Sequence, residues 1–327
     1  MNYGLLVYEP IRGIVNMGDY IQSLAAKQFI NDKPAYINRE QLNSYDGKEV
    51  ILILNGWFMH FPYNFPPSSR INPFFISFHL NYDVCDVILN NDNNIAYFKR
   101  YEPIGCRDMY TLEKFTKKGI IAYFSGCLTL TLGMSYKQTK QRENIYIVDP
   151  HIDYSIINYF SIISFFIKNY KKIYQISKNK YNDSKLTSMI SSALFYRQYN
   201  AIWTDEILLN AEFIEHYVRY NSHDDHFVYA DELLRKYSNA KLIITSRIHV
   251  ALPAAGMNTP CIFVKPLDQS SSNKSRMEGI IDFLNVVVHT GYKIENNNKI
   301  DVLNPKTKFV SEEIKNKLLL LMEKLPK

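Results

Sequence analysis

Residues 241–266, KLIITSRIHVALPAAGMNTPCIFVKP, set one permanent cation and one titratable imidazole two positions apart, at Arg247 and His249. A guanidinium presents a planar fork of donors that suits a carboxylate or phosphate, and an imidazole gives or takes a proton near neutral pH. Together they could hold an anion and move a proton beside it. A bare Arg-x-His also describes a surface arginine next to a helix-start histidine with no ligand, so the surroundings have to decide. Leu242–Thr245 is an apolar run that reads as a buried parallel strand, and Val250–Gly256 as a short helix of small residues. Gly256 and Asn258 are stop signals, and Thr259-Pro260 opens the next strand, Cys261–Val264. In open α/β sheets ligands bind at the carboxyl ends of strands, where a helix start adds free amides and a positive dipole. Ser246 and Ile248, which flank Arg247 in this turn, therefore join the candidate anion site.

Other polar groups fall at similar places. Asn16-Met17-Gly18-Asp19 follows a first strand, Tyr3–Tyr8, and precedes an amphipathic helix over Tyr20–Ile30 that carries Gln22. Asn16 or Asp19 caps that helix, and Gly18 lets backbone approach a ligand; a plain cap with a turn glycine is the alternative. Asn55-Gly56-Trp57 closes the strand Val50–Asn55, and His79 ends the strand Phe74–His79, aimed at the same cleft. Lys265, Asp268 and Gln269 follow a strand end opposite the Arg-x-His turn, and Arg276 begins the next helix, Ser275–Leu284. His216, His223 and His226, with Asp224 and Asp225, lack a metal-site spacing and read as a solvated loop, so no metal is expected.

The elements that must position these groups alternate. Beyond the strands named, Ala35–Asn38 and Gly119–Phe124 read as strands and Met109–Thr116 as a helix. After a polar stretch, Gly133–Gln141, the pattern restarts: strand Ile145–Val148, helix Tyr154–Asn169, strand Lys172–Ile176, helix Ser184–Phe195, strand Ala201–Trp203, helix Asp205–Tyr220 and helix Tyr229–Tyr237. Val286–Val288 is a last strand and Ser311–Leu325 an amphipathic terminal helix. This predicts an α/β protein of two Rossmann-like parallel-sheet domains facing across a cleft, residues 1–140 and 141–327. A chain of 327 residues is long enough for both to bury a core. The net charge of +6, without a dense basic tract, fits small anions or a membrane surface and excludes a nucleic-acid footprint. Cys85, Cys106, Cys127 and Cys261 are far apart and mostly in apolar segments, which predicts buried reduced thiols. The N-terminus reads as a strand rather than a signal peptide, and no apolar run reaches the ~18 residues of a membrane span. A soluble, cytoplasmic protein is expected.

The wording TSRIHVALPAAGMNTPCIFV resembles the C-terminal signature of the polysaccharide pyruvyl transferase family. Asn-x-Gly-Asp followed by a helix bearing Gln22, the Gly/Asn turn at Asn55, and Gly105-Cys106-Arg107-Asp108 ahead of a helix are similar to the family as well. Met17 stands where the family loop is usually glycine. The resemblance implies a GT-B architecture, with the terminal helix packing back on the first domain. It implies transfer of the enolpyruvyl unit of phosphoenolpyruvate onto two hydroxyls of a sugar, giving a pyruvate ketal in cell-surface polysaccharide. On that reading Arg247, Arg107 and Arg276, with Ser246 and Ile248, bind the donor. His249 is the general acid, with a pKa near ambient pH, and Arg107 completes the clamp when the cleft closes. Asn16, Gly18, Asp19, Gln22, Asn55 and His79 face the acceptor, and Asp108 caps its helix. Phosphoenolpyruvate is a co-substrate and no cofactor is needed. The partners are that donor and a saccharide acceptor, with no nucleic acid; a lipid-linked acceptor would bring the protein to the inner face of the membrane. Two other classes share the architecture: a nucleotide-sugar glycosyltransferase, disfavoured because no Glu lies between Glu232 and Glu278, and a non-catalytic carbohydrate-binding relic.

Overall fold

The computed structural model describes residues 1–10, 13–30, 33–155, 159–267 and 269–326. The first half runs β1 (Tyr3–Val7), β2 (Ile14–Asn16), α1 (Met17–Lys27), β3 (Ala35–Asn38), β4 (Val50–Phe58), β5 (Ile71–Leu80), α2 (Cys85–Leu89), α3 (Asp92–Arg100), β6 (Ile104–Cys106), α4 (Met109–Lys117) and β7 (Ala122–Phe124). A 3-10 turn, Leu128–Met134, leads out of it. The second half runs β8 (Ile145–Val148), α5 (Tyr159–Lys168), α6 (Tyr170–Tyr181), α7 (Leu186–Tyr199), α8 (Asp205–Asn210), β9 (Glu212–Ile214), β10 (Tyr217–Arg219), α9 (His223–Ser238) and β11 (Leu242–Thr245). It closes with α10 (Ile248–Gly256), β12 (Cys261–Pro266), α11 (Ser271–Ser275), β13 (Val286–His289), β14 (Ile294–Glu295) and α12 (Phe309–Met322).

Two six-stranded sheets result, in the orders β3-β1-β4-β5-β6-β7 and β14-β13-β12-β11-β8-β9. The first is parallel throughout, and in the second only β14 runs antiparallel to its neighbour. This is the two-sheet α/β architecture expected. Strand side chains alternate between faces, so each strand serves two cores. Leu5, Val7, Ile51, Ile53, Ile243 and Phe263 meet in a central core between the sheets. Leu6, Leu52 and Leu54 face an outer core on the first sheet, and Leu242, Ile244 and Ile262 one on the second.

The halves are also clasped by hydrogen bonds. β2 pairs antiparallel with β10 across the junction, and the Met17 amide donates to the His216 carbonyl at 2.8 Å. Tyr136 donates to Asp231 at 2.8 Å, and the Met109 amide to the Glu278 carbonyl at 3.0 Å. At the far end α12 reaches back to the first half. Lys317 donates to the Phe124 carbonyl, and the Tyr3 hydroxyl to the carbonyl of Pro326.

Several segments differ from expectation. Lys172–Ile176 is helical, within α6, because Ile173 and Ile176 recur at helical spacing and both are buried. Ala201–Trp203 is a turn. The helix expected over Asp205–Tyr220 stops at Asn210, and Glu212–Ile214 supplies the edge strand beside β8 instead. α9 begins at His223, so His223 and His226 lie in its first turns, not in a loop; Ser222 caps it by accepting from the Asp225 amide. Ser275–Leu284 is not one helix: α11 ends at Ser275, and only a 3-10 turn, Ile281–Phe283, follows. The helix expected over Tyr154–Asn169 is formed from Tyr159, and its residues 156–158 lie outside the described residues, as does Asp268. All four cysteines are buried and free.

Candidate active site

The strand ends and helix starts of both sheets converge on one polar cluster. From the second sheet, β11 stops at Thr245, whose hydroxyl donates to the Val148 carbonyl and accepts the Arg247 amide at 2.9 Å. This fixes Arg247 as the residue that caps α10, whose Val250 and Ala251 amides both donate to its carbonyl. His249 departs from helical geometry in the first turn (φ −83°, ψ 18°), and its buried Nε2 has no hydrogen-bond partner among the described residues. Arg247 donates from Nε to Asp149 Oδ2 at 2.8 Å and from Nη1 to the Tyr217 hydroxyl at 3.2 Å, with its guanidinium 4.3 Å from that ring's centre. Asp149 ends β8 with a left-handed φ of 40° and also accepts the His216 amide.

From the first sheet, the Arg107 amide continues β6 by donating to the Phe78 carbonyl at 2.8 Å. The Arg107 side chain is fully buried, and none of its three guanidinium nitrogens makes a hydrogen bond among the described residues. Its nearest carboxylate, Asp108, has Oδ2 3.4 Å from Arg107 Nε. Asp108 is engaged elsewhere: Oδ1 accepts the amide and hydroxyl of Thr111, capping α4 as expected, and Oδ2 stands 2.6 Å from His79 Nδ1. That contact fixes the orientation of His79, whose Nε2 is buried and unpartnered among the described residues.

Arg276 closes the cluster, from the end of α11 rather than from a helix start. Burial and the neighbouring Arg107 charge lower its pKa to about 10, while Asp19 opposes the shift. His249 is pushed well below the ordinary imidazole range, first by burial and then by Arg107 and Arg276. Burial takes His79 down to about 4 against the pull of Asp108, and His216 to about 3. The fold therefore departs from the expected near-ambient pKa of His249: a dry environment first, and then two guanidinium charges, hold the ring neutral. Beside the cluster a cavity of about 270 Å³ is lined by Asp149, His151, Ser246, Arg247, Gln269 and Arg276. The Ser246 hydroxyl accepts the His151 amide at 3.0 Å, and Ile248 is buried at the head of α10.

The N-terminal loop meets this cluster directly. Asn16 accepts the Gly18 amide at 3.0 Å, so Asn16 and not Asp19 caps α1. A Cβ on Gly18 would lie 3.2 Å from His249 Cβ and Nδ1, so the glycine admits the imidazole rather than a ligand. Asp19 accepts from Arg39 at 2.9 Å, and Arg39 stacks between Tyr8 and Trp57. Gln22 and Asn55 are structural in this arrangement. Asn55 donates to the Gln22 carbonyl and Gln22 to the Gly18 carbonyl, tying α1 to the end of β4. Thus Arg107, Arg247, Arg276, His79, His249, Gly18 and Asp19 come together, while Asn16, Gln22, Asn55, Ser246 and Ile248 support the loops that carry them.

Asp149, Tyr217 and Arg39 escaped the sequence reading. Asp149-Pro150 directly after an apolar strand is a signal for a strand-end ligand or anchor and could have been singled out. Nothing in the spacing links Tyr217 or Arg39 to the site. Among the described residues no group of three or more His, Cys, Asp or Glu side chains is placed to hold a metal ion.

Comparison with solved structures finds distant likenesses. An uncharacterized protein from Klebsiella pneumoniae is 13% identical, with 84% of this chain and 87% of that one covered and a TM-score of 0.38. A Listeria monocytogenes protein described as a UDP-N-acetylglucosamine 2-epimerase is 9% identical, covering 98% and 88%, with a TM-score of 0.30. Neither is close enough to carry functional meaning. No curated protein matches. Residues 93–268, more than half the chain and including Arg107, Asp108, Asp149, Arg247 and His249, match the polysaccharide pyruvyl transferase family model, and the chain belongs to that family.

Proposed function

We propose that the cluster binds phosphoenolpyruvate and transfers its enolpyruvyl unit to two hydroxyls of a saccharide, forming a pyruvate ketal. The observation that carries this reading is Arg107: a buried guanidinium without a hydrogen-bond partner among the described residues, whose one adjacent carboxylate, Asp108 at 3.4 Å, is shared with His79, beside a second cation, Arg276. Like charges packed in a dry site are unfavourable unless an anion joins them. A donor bearing both phosphate and carboxylate meets that demand, with Arg247 and the amides at the start of α10 completing the clamp.

Proton supply follows from the same charges. Burial is the first cause that holds His249 neutral; when the anion offsets Arg107 and Arg276 the second cause is removed, and the added negative charge favours the imidazolium, so the ring takes up a proton. It then protonates the C3 methylene as an acceptor hydroxyl adds at C2. Over the whole reaction two acceptor O–H bonds break and two C–O bonds form at C2. The C2–O bond to phosphate is cleaved, one proton ends on C3 and the other leaves with phosphate. Asp19, held by Arg39 and within electrostatic reach of Arg276, is the carboxylate we assign to receive the hydroxyl proton. His79, oriented by Asp108, lies within electrostatic reach of Arg107 and Arg276, and its Nε2 has no partner among the described residues.

Thermal unfolding with and without phosphoenolpyruvate tests the donor, because a ligand bound only by the native state raises Tm by mass action. Wild type should be stabilised and Arg247→Ala should not. A shift with a uridine nucleotide and none with phosphoenolpyruvate would overturn the reading in favour of a glycosyltransferase.

A further inference from the structure

α5 and α6 are consecutive helices on the outside of the second sheet, joined at Asn169, whose backbone is not helical (φ −114°, ψ 17°). Its amide closes α5 by donating to the Phe165 carbonyl, and its carbonyl opens α6 by accepting the Ile173 amide. One side of the pair is core: Ile162, Ile173 and Ile176 are buried. The flank beside it is apolar as well. Ile163 and Ile167 on α5 lie four residues apart, as do Tyr170 and Tyr174 on α6, so each pair falls on one stripe of its helix. They are 55%, 71%, 52% and 40% exposed. Leu186 and Ile190, one turn apart at the start of α7, are exposed too. A helix apolar on two sides normally has both covered.

The charge around the stripe is predominantly positive, with Lys172 paired to Asp205 at 2.6 Å. Residues 159–190 carry six lysines, Lys168, Lys171, Lys172, Lys178, Lys180 and Lys185, against one carboxylate, Asp183. Among the described residues neither Lys168 nor Lys171 nor Lys178 makes an ion pair, and all three are exposed. We infer that this face, the stripe of α5 and α6 with the start of α7, docks on an anionic lipid surface. Isoleucine and tyrosine side chains would enter the interface while lysine stems lie along it with their ammonium groups among the headgroups. A second copy presenting the same face would set lysines against lysines, so self-association by a two-fold contact is disfavoured. No helix among the described residues is long and apolar enough to cross a membrane, so the attachment is peripheral.

The docking itself does not depend on the reaction assigned above.

Co-sedimentation of the full chain with vesicles tests it. Vesicles of phosphatidylglycerol and phosphatidylcholine in equal parts should carry the protein down, phosphatidylcholine alone should not, and added salt should release it. The double variants Ile163→Asp/Ile167→Asp and Lys168→Glu/Lys171→Glu should each weaken binding about tenfold or more. Because these side chains are exposed, Tm should not move. Absence of wild-type binding to the anionic vesicles, or equal binding by both variants, overturns the inference. So does a wild-type dimer in sedimentation equilibrium that Ile167→Asp dissociates, since a second copy would then cover the stripe.

Discussion

Gly18 and His249 belong to opposite halves of the molecule, yet the α-carbon of one lies against the imidazole of the other. A methyl group at position 18 would sit 3.2 Å from His249 Cβ and Nδ1 and from Asn16 Oδ1. Gly18 lies inside α1, where alanine is ordinarily favoured over glycine by ~1 kcal/mol. In Gly18→Ala that gain and the crowding oppose each other, so stability should change little. Turnover should fall about tenfold, because the imidazole has to give by a few tenths of an ångström and catalytic geometry is unforgiving on that scale. Paired measurement of Tm and kcat checks this; wild-type turnover in the variant would mean that the His249 ring has slack.

Arg276 illustrates function held at the expense of stability. Burial and the neighbouring Arg107 lower its pKa to about 10, so the charge persists at neutral pH but is held less favourably than in water. Replacing a partly buried, poorly compensated charge commonly stabilises. Arg276→Met should raise the Tm of the ligand-free protein by a few degrees, on the order of 1 kcal/mol, and abolish the shift with phosphoenolpyruvate. If the variant keeps the ligand shift, Arg276 is no part of the anion clamp.

The depressed histidines set a pH dependence. In the unfolded chain imidazoles titrate near 6.5, whereas in the fold His79 titrates at about 4, His216 at about 3 and His249 well below its ordinary value. Between those limits the unfolded state binds more protons, so stability is complete above pH ~6.5 and declines as pH falls below it. Denaturant midpoints should drop steadily from pH 7 to 5. Phosphoenolpyruvate should reverse part of the trend by raising the His249 pKa, with net proton uptake on binding. Calorimetry in buffers of different ionisation enthalpy measures that uptake directly; a binding enthalpy independent of buffer would remove His249 from the coupled role.

The sequence made some of this plain because strand ends in parallel sheets collect chemistry. Arg247 and His249 follow an apolar run that is a strand, and His79 falls near the end of another; Arg107 was legible through its likeness to the family motif, since the strand before it is only three residues long. What spacing could not convey was pairing between halves. The antiparallel clasp of β2 with β10, the contact of Gly18 with His249, and the hold of Asp149 on Arg247 all join residues far apart in the chain. The misassigned region, 170–220, failed for local reasons. Ile173 and Ile176 suit a short strand as well as a helix face, and β9 and β10 are three residues each, too short to show a period. The neutral state of His249 was likewise invisible, since it arises from burial and from two arginines contributed by other loops.

A second glycine pair governs how firmly the halves hold the site. A Cβ on Gly256, the last residue of α10, would lie 2.2 Å from the Leu130 carbonyl oxygen, and one on Gly133 would lie 2.2 Å from the Gly256 carbonyl oxygen. Both obstacles are backbone, so neither can rotate aside. The 3-10 turn over Leu128–Met134 therefore lies directly on α10, within the core shared by the two sheets. The turn belongs to the half that carries Arg107 and the helix carries His249, so this close approach helps set the spacing between the two. Gly256→Ala must push the turn away from the helix that carries His249, and should lower stability by about 1–3 kcal/mol. It should also weaken the thermal shift with phosphoenolpyruvate, because Arg107 and Arg247 then part. A conformational mobility unrelated to this contact would show the opposite pairing, with Tm unchanged and ligand response lost. Recording both quantities on Gly256→Ala, with Gly133→Ala as the reciprocal control, distinguishes the two cases.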